Sequence, residues 1–501
     1  MQPSQATSDA QPGRDGRLVL RNTMYLGIAE VLSLPISVLL NAMMGRYLGA
    51  ADLGNIYLAT TIAAMASLVV GWGHQGSLPA AVAVDRESAG KLLGSSIAWR
   101  LVASVLVYGI VAGGCRALGF TDQQQWAFGL VFLGSTVGTI VAACQSLVRG
   151  FERTDVDAYT RVASQLAAVF LVIPVLVAGG RLRLVLLVQA LAGLVVLVIV
   201  VRAVSSIGIG RLGWDRAQFK KLMVGGTPFV FFQLVLVLQP NIDAFYLAKL
   251  TSAEVVGWYA VAQRLAGCVL LPATALIGAL YPTLCRLHAT DRAGFGQTTR
   301  ESIATVCLIV VPAALGCALY PDIGVAIFGR AAFRPAEETV RLFGLNLVFV
   351  YFSMPIGIAL LAAGRQRAWT VVQLLCLVNS ALLDPFLIRY FQASTGNGGN
   401  ALPVVATISE MLMVSAGIWL MPKGVFDLKL AKTLGLAMLS GCGMAGAAFA
   451  LRGLPSLLAA PIALLSYGIA LFATGGVTRD QVASLQAFVQ RKVLRRRSAS
   501  G

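Results

Sequence analysis

The chain has 501 residues, of which 57% are hydrophobic and only 12% charged, with a mean hydropathy of +0.78 and a formal net charge of +17. A soluble domain carries about twice that share of charge, so the composition excludes most soluble enzymes and nucleic-acid-binding proteins. With so little charge, its position along the chain says more than its sum.

The first eighteen residues are polar and contain Pro and Gly, and they are expected to form a disordered tail without a cleavable signal peptide. Apolar runs then recur to the end of the chain, as at 101–112, 162–178, 184–201 and 371–383, separated by short charged loops. A bilayer core ~30 Å thick takes ~20 helical residues to cross. About fourteen spanning helices are predicted, at 19–45, 53–83, 92–118, 126–148, 158–178, 183–203, 221–248, 254–285, 301–320, 336–363, 368–391, 401–421, 430–451 and 455–475. The chain therefore reads as an all-α polytopic membrane protein. The segment 321–335 is left as the largest loop on the side opposite the N-terminus. In 478–497, Val482, Leu485, Val489 and Val493 recur at helical spacing before a basic cluster. That stretch is either an interfacial helix drawn to anionic lipid or a solvated tail.

Lys and Arg set the orientation. With the N-terminus inside, the loops carry roughly 27 basic residues on the inner side against 10 on the outer side. This asymmetry supports fourteen passes with both termini inside. The eight cysteines form no CxxC pair and read as small buried hydrophobes, and two histidines, His74 and His288, are too few and too distant for a zinc site. No metal or other cofactor is expected.

Two stretches match at a constant offset of 202 residues: Leu48 with Leu250, Ala51 with Ala253, Asp52 with Glu254, Leu53 with Val255 and Tyr57 with Tyr259. Each joins the first and second helices of a half. The expected division is a tail at 1–18, a six-helix bundle at 19–203, a linker at 204–220, a second six-helix bundle at 221–421, two further helices within 422–475 and a basic tail at 476–501. Six helices per half make the repeats parallel, and transporters commonly bind substrate between such repeats.

The run Gly45-Arg46-Tyr47-Leu48-Gly49-Ala50-Ala51-Asp52-Leu53-Gly54-Asn55-Ile56-Tyr57 resembles the first loop of bacterial polysaccharide flippases of the Wzx type. Ala279-Leu280-Tyr281-Pro282-Thr283-Leu284 resembles the end of their eighth helix. These flippases belong to the multidrug/oligosaccharidyl-lipid/polysaccharide exporter (MOP) superfamily, with the lipid II flippases and the MATE exporters. The resemblance implies two bundles around a cavity in the bacterial inner membrane. It implies a polyprenyl-diphosphate-linked oligosaccharide as substrate, moved to the periplasmic leaflet for surface or exopolysaccharide synthesis. Polysaccharide polymerase and export proteins are implied partners. Nucleic acid is not.

Ionised side chains within a bilayer usually face a cavity or a partner. Here they are Glu30, Arg100, Asp243, Arg264, Asp384 and Glu410. The diphosphate needs cations, and Arg264, next to Gln263, and Arg100 are the first candidates. Arg46 and Lys249 near the outer helix ends either receive it at the exit or snorkel to headgroups. Asn41, Gln239, Asn241 and Asp243 make the first helix of each half polar, and Pro35 and Pro240 are expected hinges. Asp243 either couples transport to a proton or cation or pairs with Lys249 or Arg264. Gly71-Trp72-Gly73-His74-Gln75-Gly76 weakens its helix. Trp72, His74 and Gln75 there either contact sugar or serve close packing.

No GxxxxGK[ST] motif or catalytic set appears. A transporter is thus expected rather than an enzyme. The alternatives are a lipid II flippase, a MATE-like exporter and, from another class, a membrane-embedded glycosyltransferase or polymerase, which would need a large catalytic outer loop.

Overall fold

The computed structural model describes residues 12–422 and 425–476. The side chains of Glu30, Gln239 and Pro240, and the whole of the 478–497 stretch, lie outside the described residues. Among the described residues the chain is helical throughout, with no strand. The elements are α1 (Pro12–Gly71), α2 (His74–Val84), α3 (Ala89–Ala117), α4 (Asp122–Gly150), α5 (Thr154–Val177), α6 (Leu182–Ser205), α7 (Arg216–Leu250), α8 (Ala253–Thr290), α9 (Arg292–Leu319), α10 (Pro321–Phe333), α11 (Ala336–Ala362), α12 (Gln366–Thr395), a short 3₁₀ turn (Gly398–Asn400), α13 (Ala401–Leu420), α14 (Leu428–Ala450) and α15 (Ser456–Ala473).

Twelve stretches are long and apolar enough to cross a bilayer, one of them Leu32–Val84 with 53 residues. That stretch is two passes, because α1 breaks at Gly49, where φ is 84° and ψ 178°. Only glycine adopts that conformation without steric cost. Residues 222–242 of α7 carry no charged side chain, which is enough for another pass. The passes thus number the fourteen read from the sequence. Their outer faces are apolar: Leu184, Leu187, Leu191, Leu194 and Val198 of α6 are all exposed, as are Val371, Leu375, Val378, Leu382 and Phe386 of α12. Spaced three or four apart, they form stripes suited to lipid rather than water.

The chain divides into two compact units, residues 1–257 and 258–501. In the first, Leu78, Leu92, Leu147, Val200 and Leu222 join one core, while Leu58, Ala66, Phe128 and Phe132 join another. α7, read as the first helix of the second half, packs in this unit against α1, α2 and α3. In the second unit, Leu284, Phe295, Ile356, Trp369 and Met413 form the main core. α1 begins at Pro12, inside the stretch read as tail.

The segment 321–335 differs from the expected loop. It forms α10, with Pro321 at the first turn, where a missing N–H costs nothing. Val325, Phe328 and Phe333 are fully buried and fix the helix by packing. The apolar run is too short to read as a span, so only its tertiary contacts reveal it.

Charge is handled locally at the helix ends. Asp157 of α5 is fully buried and accepts hydrogen bonds from Arg149 Nη1 at 3.2 Å and Arg161 Nε at 3.3 Å. Removing one partner of a buried pair leaves the others uncompensated. Asp157→Asn is expected to lower stability by about 2 kcal/mol, because both arginines keep some contact with water. Thermal unfolding in detergent checks this.

Asp215 caps α7, its Oδ1 accepting from Ala217 N at 2.8 Å and Gln218 N at 3.1 Å. Asp427 caps α14 through Leu430 N at 2.9 Å and also pairs with Arg300. The backbone N–H of Gln218, then that of Ala217, holds the Asp215 carboxyl below the usual carboxylate range. The N–H of Leu430, then the Arg300 charge, does the same for Asp427. A depressed carboxyl stabilises the fold above its ordinary value, and that contribution is lost as pH falls through the depressed one. Asp215→Ala and Asp427→Ala are therefore expected to lower the melting temperature at neutral pH. The deficit should shrink to nothing below the carboxylate range, which a series of melting curves against pH reads directly.

Candidate functional site

A polar cluster lies inside the first unit where α1 gives way to α2. The chain turns sharply there. Trp72 has a φ of 42° and Gly73 a φ of 65°. A positive φ is strained for tryptophan. The turn is held from α7: Trp72 Nε1 donates to the Met223 carbonyl at 3.2 Å, and Ser77 Oγ donates to the Leu222 carbonyl at 3.3 Å. A Cβ on Gly73 would lie 2.1 Å from the Gly226 carbonyl oxygen, and a Cβ on Gly226 would lie 2.2 Å from that of Trp72. The two backbones touch because neither residue has a side chain.

This turn aims His74 at α3. His74 is fully buried, and its Nδ1 lies 2.9 Å from Ser96 Oγ. Arg100, one helical turn further along α3, is 1% exposed. Its Nε donates to the same Ser96 Oγ at 3.4 Å, and its Nη1 donates to the Thr139 carbonyl of α4 at 2.9 Å. Nη2 has no hydrogen-bond partner, nor has His74 Nε2. None of the ion pairs among the described residues includes Arg100. A buried guanidinium normally has a carboxylate beside it, and this one has only neutral acceptors. Trp99 stands next to it, edge-on to Trp72 with ring centroids 5.9 Å apart.

The sequence candidates His74 and Arg100 thus meet at Ser96, 26 positions apart in the chain, and Trp72 reaches the same stretch of α3 through Trp99. Ser96 and the Thr139 carbonyl escaped the sequence reading, since a serine and a backbone oxygen carry no pattern. Gln75 points elsewhere; it is exposed and lies 3.5 Å from Gln233 of α7. Asn41 and Asn241 each bond within their own helix, to the Ser37 carbonyl and the Val237 carbonyl. α1 remains helical through Pro35, and its backbone breaks at Gly49, within the gap read between the first two helices. Asp243 is half-buried and Arg46 exposed. Lys249 donates to the Leu118 carbonyl and lies 5.4 Å from the Phe120 ring. Leu118 ends α3, so the ammonium meets the negative end of that helix.

Arg264 and Gln263 are half-buried on α8 in the second unit. There α12 and α13 share a further polar set. Asn379 Nδ2 donates to Ser409 Oγ at 3.0 Å, Asp384 is fully buried and Glu410 half-buried.

The motif after Gly45 also builds a surface. Tyr47, Leu48 and Asp52 line a cleft of about 1020 Å³ with Gln123, Trp126, Arg181 and Arg183. Gln123 Nε2 donates to Asp52 Oδ1 at 3.0 Å, and the Arg183 guanidinium stacks 4.8 Å from the Trp126 ring.

The profile of the polysaccharide biosynthesis protein family matches residues 19–288, more than half of the chain. The chain belongs to that family. The match covers the whole polar cluster, from the α1–α2 turn to Arg100 and α7. Among solved structures the chain resembles the lipid II flippase MurJ in an inward closed conformation, with a TM-score of 0.68 and 13% identity over 89% of this chain and 98% of that one. It also resembles an inward-facing MATE-family multidrug resistance transporter of the MOP superfamily, with a TM-score of 0.62 and 14% identity over 78% and 96%. A MOP transporter from Pyrococcus furiosus matches at 0.53 and 15% identity over 79% and 94%. These identities speak for a shared fold, and the fold is that of the MOP superfamily. No curated protein sequence matches the chain significantly. The family and fold support the polysaccharide flippase resemblance read from the loop motifs.

Proposed function

We propose that this member of the polysaccharide biosynthesis family is a flippase rather than an enzyme. Its substrate is a polyprenyl-diphosphate-linked oligosaccharide, carried from the cytoplasmic to the periplasmic leaflet of a bacterial inner membrane by alternating access. The observation that carries this reading is Arg100: a buried guanidinium that, among the described residues, has neither a partner for Nη2 nor a carboxylate beside it. Such a charge is costly unless an anion arrives to meet it. A diphosphate supplies paired oxygens suited to a guanidinium fork. His74 and Ser96 orient the arginine, and the aromatic pair Trp72 and Trp99 offers faces on which sugar rings stack. Arg264 of the second unit, and Arg46 and Lys249 of the first, are further candidate cations for the diphosphate along its path. Asp243 is the proposed coupling residue.

Lipid II carries the same diphosphate, and the family match favours the repeat unit of a polysaccharide over it. Deleting the gene in its host and analysing the lipid pool by mass spectrometry tests the reading. A diphosphate-linked oligosaccharide should accumulate as surface polysaccharide disappears. Accumulation of lipid II, or an unchanged pool, would overturn the proposal.

A further inference from the structure

At one end of the second unit, three turns converge on a cleft of about 520 Å³. They are the α8–α9 turn, the α11–α12 turn and the connection from α13 to α14. Its lining includes His288, Arg292, Arg300 and Arg365 over an apolar floor of Phe295 and Val425. All these turns lie on the side where Lys and Arg outnumber those opposite.

The carboxylates near the cleft are already engaged. Asp427 pairs with Arg300 and caps α14. Asp291 caps α9 through Gly294 N at 2.9 Å. Glu301 accepts from Gln297. Arg365 donates to the Leu420 carbonyl, a neutral group that leaves its charge uncompensated. Arg292 is exposed and has no ion pair among the described residues. Among the described residues, two guanidiniums therefore face the cleft without a counter-charge. Phe295 is 3% exposed and Val425 2%, so the floor continues into the apolar core of the unit.

We infer that this cleft binds the phosphate of a membrane lipid headgroup, through Arg292 and Arg365 with His288 beside them. Basic pockets at helix ends on the cytoplasmic side select phosphate headgroups because ammonium and guanidinium groups there work at the edge of low dielectric. The cleft lies at helix ends of a membrane-spanning bundle, the depth at which lipid headgroups sit, which brings a lipid phosphate to it. The site does not depend on which substrate is transported. A bulk anionic phospholipid and the diphosphate end of a polyprenyl lipid present the same chemistry.

The test uses the full chain purified in detergent and titrated with short-chain phosphatidylglycerol, phosphatidylcholine, undecaprenyl diphosphate and inorganic phosphate. Native mass spectrometry reads the bound species. Phosphatidylglycerol should bind about tenfold more weakly to Arg292→Gln/Arg365→Gln than to the parent chain. Arg286→Gln/Arg367→Gln removes two exposed arginines of α8 and α12 outside the cleft and should bind as the parent does. Arg292→Lys/Arg365→Lys keeps the charges and should recover most of the affinity, which separates charge from folding. Displacement of phosphatidylglycerol by undecaprenyl diphosphate at lower concentration would support the site and assign it to the substrate end. Equal weakening in both glutamine pairs, equal binding of phosphatidylcholine, or inorganic phosphate binding as tightly as the lipid would overturn the inference.

Discussion

Arg100→Met is expected to cut export of the lipid-linked saccharide at least about tenfold and to leave the protein as stable as the parent, or more so. Both halves of this expectation follow from the same burial. Arg100 is 1% exposed and has only Ser96 Oγ and the Thr139 carbonyl as acceptors. A structural arginine would repay its desolvation through a carboxylate, and losing it would cost about 3–5 kcal/mol. Arg100 has no such partner among the described residues, so replacing it by an apolar side chain of similar length removes an uncompensated desolvation. Folding stability should then change by less than about 1 kcal/mol or rise. Transport has the opposite dependence, because the diphosphate loses its fork. Export should drop by at least about tenfold, the worth of one charge-assisted contact. Arg100→Lys keeps a cation that reaches the Thr139 carbonyl but not the paired geometry, and should recover part of the export. Export assays and melting curves on the same membranes decide the matter. A protein that unfolds on Arg100→Met would make this arginine structural.

Gly54→Ala and Gly257→Ala should each cost more than about 2 kcal/mol, the scale of forced overpacking. A Cβ on Gly54 would lie 1.8 Å from the Ala253 carbonyl oxygen, and a Cβ on Gly257 would lie 2.0 Å from that of Ala50. Both obstacles are backbone, so no side chain can rotate away. The stretches involved are the ones related by the 202-residue offset, and each leans its own glycine on the other's carbonyl. Gly73 and Gly226 repeat the arrangement lower down. Nineteen residues separate Gly54 from Gly73, about 28 Å along a helix, close to the thickness of a bilayer core. Gly109 and Gly113 of α3 are the controls. They are exposed, with nothing within 4 Å of an added Cβ. Alanine there should be neutral or stabilising by up to about 1 kcal/mol, the helix propensity it gains. Opposite signs for the same substitution would show that contact, not glycine content, sets the effect. Thermal unfolding of the four variants measures it.

The number of passes among the described residues and the family resemblance were legible in the chain itself. A bilayer is a uniform solvent for every residue within it, so the length and polarity of each segment are decided locally. The break at Gly49 falls in the gap read between the first two helices, 46–52, where a positive φ turns the chain, while α1 stays helical through Pro35, whose ring removes only one hydrogen bond. α10 was hidden because its burial comes from distant neighbours rather than from its own length.

The cluster around Arg100 shows where sequence reading stops. Trp72, His74 and Arg100 stood out as residue types, each with a bland and a sharp explanation. What joins His74 to Arg100 is Ser96, one turn from Arg100 along α3, with a carbonyl of α4 brought in by packing, while Trp72 joins through Trp99. Backbone acceptors and missing Cβ atoms have no sequence signature. The sequence by itself determined the spans and the family, since these depend on composition and motifs within single segments. Only the tertiary structure decided which buried charge lacks a partner, because a partner is defined by distance in space and not by position in the chain.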